Sequence, residues 1–467
     1  MSKCNHLGRF VRMAGGLVAA CIIGTLGACS THNNTIIGAP HYNVDHALPL
    51  GEWGLRKLSP SEYPNMEAAF MNKQGLIKAI DRSLKFIRSP SSEKFFPDGP
   101  ITHQQMLNSL LDFRYMVQTV SSPQQFQQMI VQRYDVYTAK GYDNKGSVWF
   151  TGYYTPILKG SLTETSEFRY PVYKRPADLV SNPITGAVLG QKLPNGQLQK
   201  YPTRKQLMQG HLLQGDELVW FKSELDAYIA EVQGSAKVQL PSGEEITIGY
   251  AGDNGRTYSG LGEALVNAGK IRRRQLSLPA IISYAKQHPN TVHQYILDNN
   301  FMAFLKVYNP AHWPLGSLGV KVTAHRSLAT DKHITAPPYQ SIFPRAAVTF
   351  VSTIAPNTSG AIGPFQQFML DQDTGGAIRA AGRADIYMGI GPVAAVQADY
   401  ELNKGRLYYL FLKQGLTPMG QSGAYTESLG NAGAPAPIGA ANPSASQGSV
   451  GGGQNVPANS QMFPGAK

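Results

Sequence analysis

Two aspartates twelve residues apart, Asp373 and Asp385, bracket a stretch rich in glycine and alanine, DTGGAIRAAGRAD. Carboxylates can serve as general acids and bases. The Gly375-Gly376 pair can take backbone angles closed to other residues, so a tight turn is expected just after Asp373. Beyond it Ala384, Ile386 and Met388 alternate with Asp385, Tyr387 and Gly389, the period of a short strand, which places Asp385 and Tyr387 on one face. A carboxylate held on a rigid strand beside a glycine-lined opening can meet a polymer closely and exchange protons with it. The same spacing also suits a turn capped by Asp373 and a solvated surface strand carrying Asp385.

Other stretches could serve such a site. In Phe150-Thr151-Gly152-Tyr153-Tyr154-Thr155-Pro156 a glycine between polar and aromatic residues lets a ligand approach the backbone, although ordinary strand packing reads the same way. Val232-Gln233-Gly234-Ser235 and Gly252-Asp253-Asn254-Gly255-Arg256-Thr257-Tyr258 are glycine-bearing polar turns, suited to sugar contacts or to plain hairpins. No HExxH, CxxC, GxxxxGK[ST] or GxSxG motif occurs. Metal, nucleotide and serine- or cysteine-nucleophile chemistry are therefore poor readings, and no cofactor is expected.

The elements that must position these residues change along the chain. Leu76, Ile80, Leu84 and Ile87 predict an amphipathic helix ended by Pro90; Thr102 with Gln105 makes a capping box for a second; Ser122 before Pro123 starts a third. Val148 to Tyr154 then reads as strand. From 157 to 300 short strands and turns mix with helices at 220–231, 262–268, 278–287 and 291–299. Strands return at 304–307, 320–323, 347–351 and 406–412, punctuated by Gly and Pro in the texture of a β-barrel. After Lys413 apolar periodicity ends, and 414–467 reads as a disordered tail.

The first 29 residues read as a targeting segment: Lys3, Arg9 and Arg12 precede an apolar run from Ala14 to Ala28 that is short for a membrane span. Small residues before Cys29 fit a lipidation site, and Ser30 after it favours the outer membrane. All three cysteines, Cys4, Cys21 and Cys29, fall in this segment, so the processed chain has no disulfide and no catalytic thiol. Residues 30–66 form a tether. Of 42 basic and 30 acidic residues, removal of the segment leaves 39 against 30, a net +9, which favours anionic partners. An exported lipoprotein does not meet nucleic acid; cell-wall glycan with its carboxylates is the better match.

With these blocks in order, the stretch from about 140 to 413 resembles the family A membrane-bound lytic murein transglycosylases, whose C-terminal 3D domain takes its name from three aspartates. Phe150–Pro156, Val232–Ser235, Tyr250–Tyr258, Gly316–Asp331 and Asp373–Pro392 carry the resemblance. It departs at His325-Arg326, where Gly-Arg is frequent, and at Thr335–Ala346, which is extended.

The resemblance implies a mainly β fold with flanking helices. A double-psi β-barrel built from 67–156 and 301–413 would carry an inserted β-rich domain over 157–300, with the glycan cleft between them. Asp385 would be the catalytic residue, with Asp373 and Asp331 as supporting acids. Thr151, Tyr154, Gln233, Ser235, Asn254 and Tyr387 would contact substrate. The implied reaction is non-hydrolytic cleavage of the β-1,4 bond from N-acetylmuramic acid to N-acetylglucosamine in peptidoglycan. One aspartate, starting protonated, acts as acid and then as base, and a 1,6-anhydro end results. Partners would be glycan strands, the outer membrane through a lipid anchor on its periplasmic face, and cell-wall synthesis or division proteins. Two other readings remain open on the residues: a glycoside hydrolase using Asp373 and Asp385 as a pair, and a non-catalytic glycan-binding lipoprotein.

Overall fold

The computed structural model describes residues 52–183, 186–332, 341–376 and 378–420. The targeting segment with Cys29, most of the tether, residues 333–340 of the extended loop, and 421–467 lie outside the described residues.

Strand β1 (Leu55–Lys57) leads into helices α1 (Glu67–Met71), α2 (Leu76–Ile87), α3 (His103–Thr119) and α4 (Pro123–Arg133). The end of the expected tether is thus built into the fold, with Leu55 and Leu58 buried. Helix starts follow their caps: Thr102 Oγ1 accepts from the Gln105 amide at 3.0 Å, and Ser122 Oγ from the Gln125 amide at 3.3 Å. The expected capping box forms only by half. Gln105 instead donates its side-chain amide to the Leu412 carbonyl at 2.9 Å, which ties α3 to the sheet beneath it.

Strands β2 (Tyr134–Ala139) and β3 (Val148–Thr155) follow, and the chain then leaves for the insert. There come β4 (Ile157–Ser161), β5 (Tyr170–Tyr173), β6 (Leu179–Ser181), β7 (Val188–Lys192), β8 (Leu198–Gln199) and helix α5 (Arg204–Gln209). Next are β9 (Glu217–Phe221), α6 (Glu224–Gln233), β10 (Ser235–Gln239) and β11 (Glu245–Asp253). Helices α7 (Leu261–Asn267), α8 (Leu278–Gln287) and α9 (Pro289–Asp298) precede β12 (Ala303–Tyr308). One six-stranded sheet has the order β12-β11-β10-β4-β9-β5, beside a three-stranded sheet β6-β7-β8. Trp220 and Phe221 are used in β9, so the helix expected from Trp220 starts at Glu224, capped by Ser223. Because β12 pairs with β11 over Thr247↔Tyr308 to Asp253↔Ala303, the insert's sheet runs past residue 300 to Tyr308.

The chain returns through β13 (Ser327–Ala329), β14 (Val348–Pro356), β15 (Ile362–Asp373), β16 (Arg383–Ile390), helix α10 (Pro392–Tyr400) and β17 (Leu402–Leu412). Six strands in the order β17-β14-β15-β13-β16-β3 close on themselves because β3 also pairs with β17. This is the expected barrel. The pairings β13 with β15 and β16 with β3 are parallel, whereas β14 pairs antiparallel with both β15 and β17. Phe150, Phe350, Phe368, Ala384, Ile386 and Leu410 fill one core together with Leu110, Phe113 and Phe126 of the helices. The Phe113 ring meets Phe368 edge-on at 5.1 Å. Burying each such ring stabilises by about 1.5–3 kcal/mol, which is why the helices are inseparable from the barrel.

Two expectations are corrected here, and one strand was missed. The strand expected at 320–323 is irregular chain with one bridge, Leu315↔Lys321, because Arg82 of α2 takes the Val322 carbonyl at 2.9 Å and also binds Thr323 Oγ1. The twelve-residue β15 escaped notice because Gly363 and Pro364 mask its start. Finally, the tail does not begin at 414: Thr417 O accepts from Arg133 Nη2 at 2.9 Å, and the Met419 amide donates to Asp112 Oδ1 at 2.8 Å.

Candidate active site

Strand β16 is held on both sides, by β3 in parallel and by β13 in antiparallel register. Asp385 stands opposite Thr151 and Ala329, in the middle of this arrangement, so its backbone is fixed by the barrel itself. The alternation expected from sequence holds: Ala384, Ile386 and Met388 enter the core, and Asp385 points outward with its side chain 14% exposed. Thr151 donates its hydroxyl to Asp385 Oδ1. Arg383, two residues earlier on the same face, donates from Nε to Oδ1 at 3.1 Å and from Nη2 to Oδ2 at 3.3 Å.

Asp373 ends β15. Its Oδ1 accepts from the Ser317 and Thr374 amides, both at 2.8 Å, and its Oδ2 from the Tyr153 hydroxyl at 2.8 Å. A little of the residue meets solvent, but the surrounding protein desolvates the carboxyl and pushes its pKa up to about 6 against those three donors. Gly316 is required here, since a Cβ would meet the Gln372 carbonyl at 2.6 Å. The expected reason for the glycines after Asp373 is corrected: neither Gly375 nor Gly376 has a positive φ, and the turn they make closes with the Ile378 amide on the Gly375 carbonyl at 3.0 Å. Asp331 is buried and accepts from the Ala380 amide at 2.6 Å. Ala380 has φ +57°, so this bond holds a strained residue on the approach to β16.

Tyr153 holds Asp373 from strand β3. Its hydroxyl binds Asp373, its pKa is raised by burial and by the charges of Asp373 and Asp385, and its ring lies 5.1 Å from that of Tyr387. The sequence reading placed Tyr153 in its motif without a role, and passed over Arg383; the period of two that put Asp385 and Tyr387 on one face puts Arg383 there as well.

The six residues expected at substrate divide. Thr151 is at the acid and half-exposed. Gln233 ends α6 of the insert and accepts from the Tyr154 amide at 3.1 Å, bridging insert and barrel. Ser235 and Tyr387 are buried and meet at Thr155 Oγ1, at 3.2 and 3.0 Å. Tyr154 is buried too, and desolvation raises its pKa to about 12. Asn254 lies elsewhere, inside the insert. Its amide donates to the Pro202 and Asn300 carbonyls and accepts from the Arg256 and Met302 amides, so its polar atoms are occupied by structure. Among the described residues no group of three His, Cys, Asp or Glu could hold a metal ion.

Two family models match the chain, the MltA specific insert domain over residues 149–306 and the 3D domain over residues 326–411. The membrane-bound lytic murein transglycosylase A of Vibrio cholerae serotype O1 is 30% identical over 285 residues, 59% of this chain and 69% of that protein. Its counterpart in Escherichia coli K12 is 29% identical over 280 residues, with the same two shares, 59% and 69%. Among solved structures, a membrane-bound lytic murein transglycosylase from Agrobacterium tumefaciens aligns with TM-score 0.62 at 24% identity, covering 77% of this chain and 98% of that one. E. coli MltA with bound chitohexaose aligns with TM-score 0.56 at 23% identity, over 79% and 96%. At such identities the structures speak for the fold.

Proposed function

This chain belongs to the membrane-bound lytic murein transglycosylase A family, and from that premise we propose that Asp385 is its single catalytic acid and base. The enzyme cleaves peptidoglycan glycan strands between N-acetylmuramic acid and N-acetylglucosamine without water. The observation that carries the assignment is Asp385 on the outward face of a barrel strand, with the Thr151 hydroxyl on one carboxylate oxygen.

In the reaction, protonated Asp385 gives its proton to the oxygen joining the two sugars. The bond from that oxygen to the muramoyl C1 breaks, and the N-acetylglucosamine leaves with a free hydroxyl. Asp385, now a carboxylate, takes the proton from the muramoyl C6 hydroxyl as that oxygen bonds to C1. A 1,6-anhydro ring closes and the acid is restored. The nucleophile is part of the substrate, so proximity replaces much of the help a second carboxylate gives a hydrolase. Thr151 orients Oδ1 through its donated hydrogen bond. Asp373, holding three donors, supports Tyr153 and the turn after β15; Asp331 supports Ala380.

Mass spectrometry of the soluble products from purified sacculi tests the reading. Fragments lighter by one water than hydrolytic ones are expected, and reducing ends would overturn it. Among the described residues no helix is long and apolar enough to cross a membrane. The Leu26-Gly27-Ala28-Cys29 site supports attachment to the outer membrane through a lipid on Cys29, facing the periplasm. Cys29→Ala should then leave an exported protein that washes off the membrane at high salt.

A further inference from the structure

We propose that Arg383, Trp149 and Lys404 form a subsite for a carboxylate-bearing muramoyl unit, and that the carboxylate draws Arg383 away from Asp385 to release the acid. The proposal rests on the assignment of Asp385 above and deepens it. Arg383 and Lys404 both stand opposite Trp149, on the two strands that flank β3. Residues directly opposite one another point to one side of a sheet, so the three side chains make a row across β16, β3 and β17. Trp149 and Thr151, two apart on β3, share that face, so the row runs next to the acid.

The row has the chemistry of a sugar acid. Trp149 stacks with Tyr142, ring centroids 6.4 Å apart, and Lys404 Nζ lies 5.4 Å from the Tyr142 ring and 5.9 Å from the Trp149 ring. Aromatic faces suit the apolar face of a pyranose ring. Lys404 is exposed and lies over the two rings, and Arg383, opposite Trp149, keeps 27% of its side chain exposed, so each strand flanking β3 brings a cation to the aromatic pair.

Arg383 also poses a conflict that the substrate can resolve. Its guanidinium spans both oxygens of Asp385, at 3.1 and 3.3 Å, and donates to Thr151 Oγ1 from Nε and Nη2 at 3.3 and 3.2 Å. Guanidinium has donors and no acceptor, so Arg383 can bond the carboxylate form of Asp385 at both oxygens but cannot accept the proton of its acid form. The pairing therefore matches Asp385 as the base of the second proton transfer. N-acetylglucosamine offers only hydroxyls and an acetamide, which cannot replace a charge-assisted fork. A muramoyl unit carries a carboxylate, on its lactyl group or on its peptide stem, and can exchange one ion pair for another.

The test compares kcat/KM on glycan strands stripped of peptide with the same strands amidated by methylamine, which removes the lactyl charge alone. Strands bearing intact stems, amidated or not, form a second pair that separates the lactyl from the stem source. Wild type should prefer the charged member of at least one pair by roughly tenfold or more. Arg383→Gln should bring that ratio close to one, and Arg383→Lys should restore part of it. Lys404→Gln should raise KM for the charged strand with kcat little changed. Thermal melts check that each variant is folded. Equal use of charged and amidated strands by wild type overturns the proposal, as does a wild-type ratio kept by both Arg383→Gln and Lys404→Gln. Failure of the Asp385 assignment would show separately, as activity kept by Asp385→Asn on every strand.

Discussion

At the scale of single residues, the carboxylates differ in what the protein asks of them. Asp385 faces outward from the barrel with Thr151 and Arg383, whereas Asp373 is engaged by Tyr153, Ser317 and Thr374. Asp385→Asn keeps shape and removes the titrating proton. It should fold with a native melt and lose about 10²- to 10⁴-fold or more in release of anhydro-muropeptides. Asp373→Asn should fall less and change the pH profile. With the carboxyl at about 6, wild-type turnover should decline as pH drops through that value and Asp373 takes a proton; the variant should lack that limb. Comparable, near-complete losses in both would point to a two-carboxylate hydrolase. Asp385 and its face were legible in sequence because alternation is a strong local signal. The roles of Asn254 and Tyr153 were not, since a polar side chain in a glycine turn reads alike whether it meets sugar or, as Asn254 does, four backbone groups.

At the scale of elements, the site depends on how closely α10 can approach β3. Gly152 allows it: a Cβ there would meet Ala398 Cα at 2.6 Å and both the Ala398 carbonyl and Met388 Cε at 3.1 Å. Gly152→Ala must push the helix off the strand that carries Thr151 and Tyr153. A cost of about 1–3 kcal/mol is expected, read as a melt lower by several degrees, with turnover reduced as well. The junction of α10 and β17 carries a second constraint. Glu401 is 2% exposed, its Oε2 has no hydrogen-bond partner among the described residues, and desolvation raises its pKa from 4.5 to about 8. A raised carboxyl binds its proton more tightly in the folded protein. Its contribution to stability is therefore complete below pH 4.5 and is lost as pH climbs towards 8. Glu401→Gln should melt close to wild type at pH 4 and several degrees higher at pH 8. Equal melts at pH 8 would show that the carboxyl is solvated. Helix α2 was readable from its apolar period and α3 and α4 from their caps, but β15 was not, because its antiparallel pairing with β14 overrides the Gly-Pro at its start.

At the scale of the whole molecule, the strand texture in the sequence points to a β-barrel but not to how the barrel closes. Closure depends on β3 and β17 meeting across some 250 residues, at Leu402↔Thr151 to Gly405↔Val148, and only the resemblance carried that information. The end of the fold is a related case. Composition alone ends order at Lys413, yet residues 414–420 form a strap over α3 and α4. The strap answers an electrostatic need. Asp112 is fully buried and takes Arg133 at 2.6 and 3.1 Å and the Tyr134 hydroxyl at 3.0 Å, and the Met419 amide completes its shell at 2.8 Å. Gly420 packs on the Tyr115 ring, and Met419 lies against the core. Removing the strap would admit water to a buried ion pair and strip one donor from a carboxylate, at about 1–3 kcal/mol. Two truncations isolate this, one ending at Gly420 and one at Lys413. The shorter should melt several degrees lower, with kcat/KM at 25 °C unchanged, because none of the strap's partners touches Thr151, Arg383 or Asp385. Equal melts for the two truncations would mean that the strap only lies on the surface and that Arg133 and Tyr134 satisfy Asp112 by themselves.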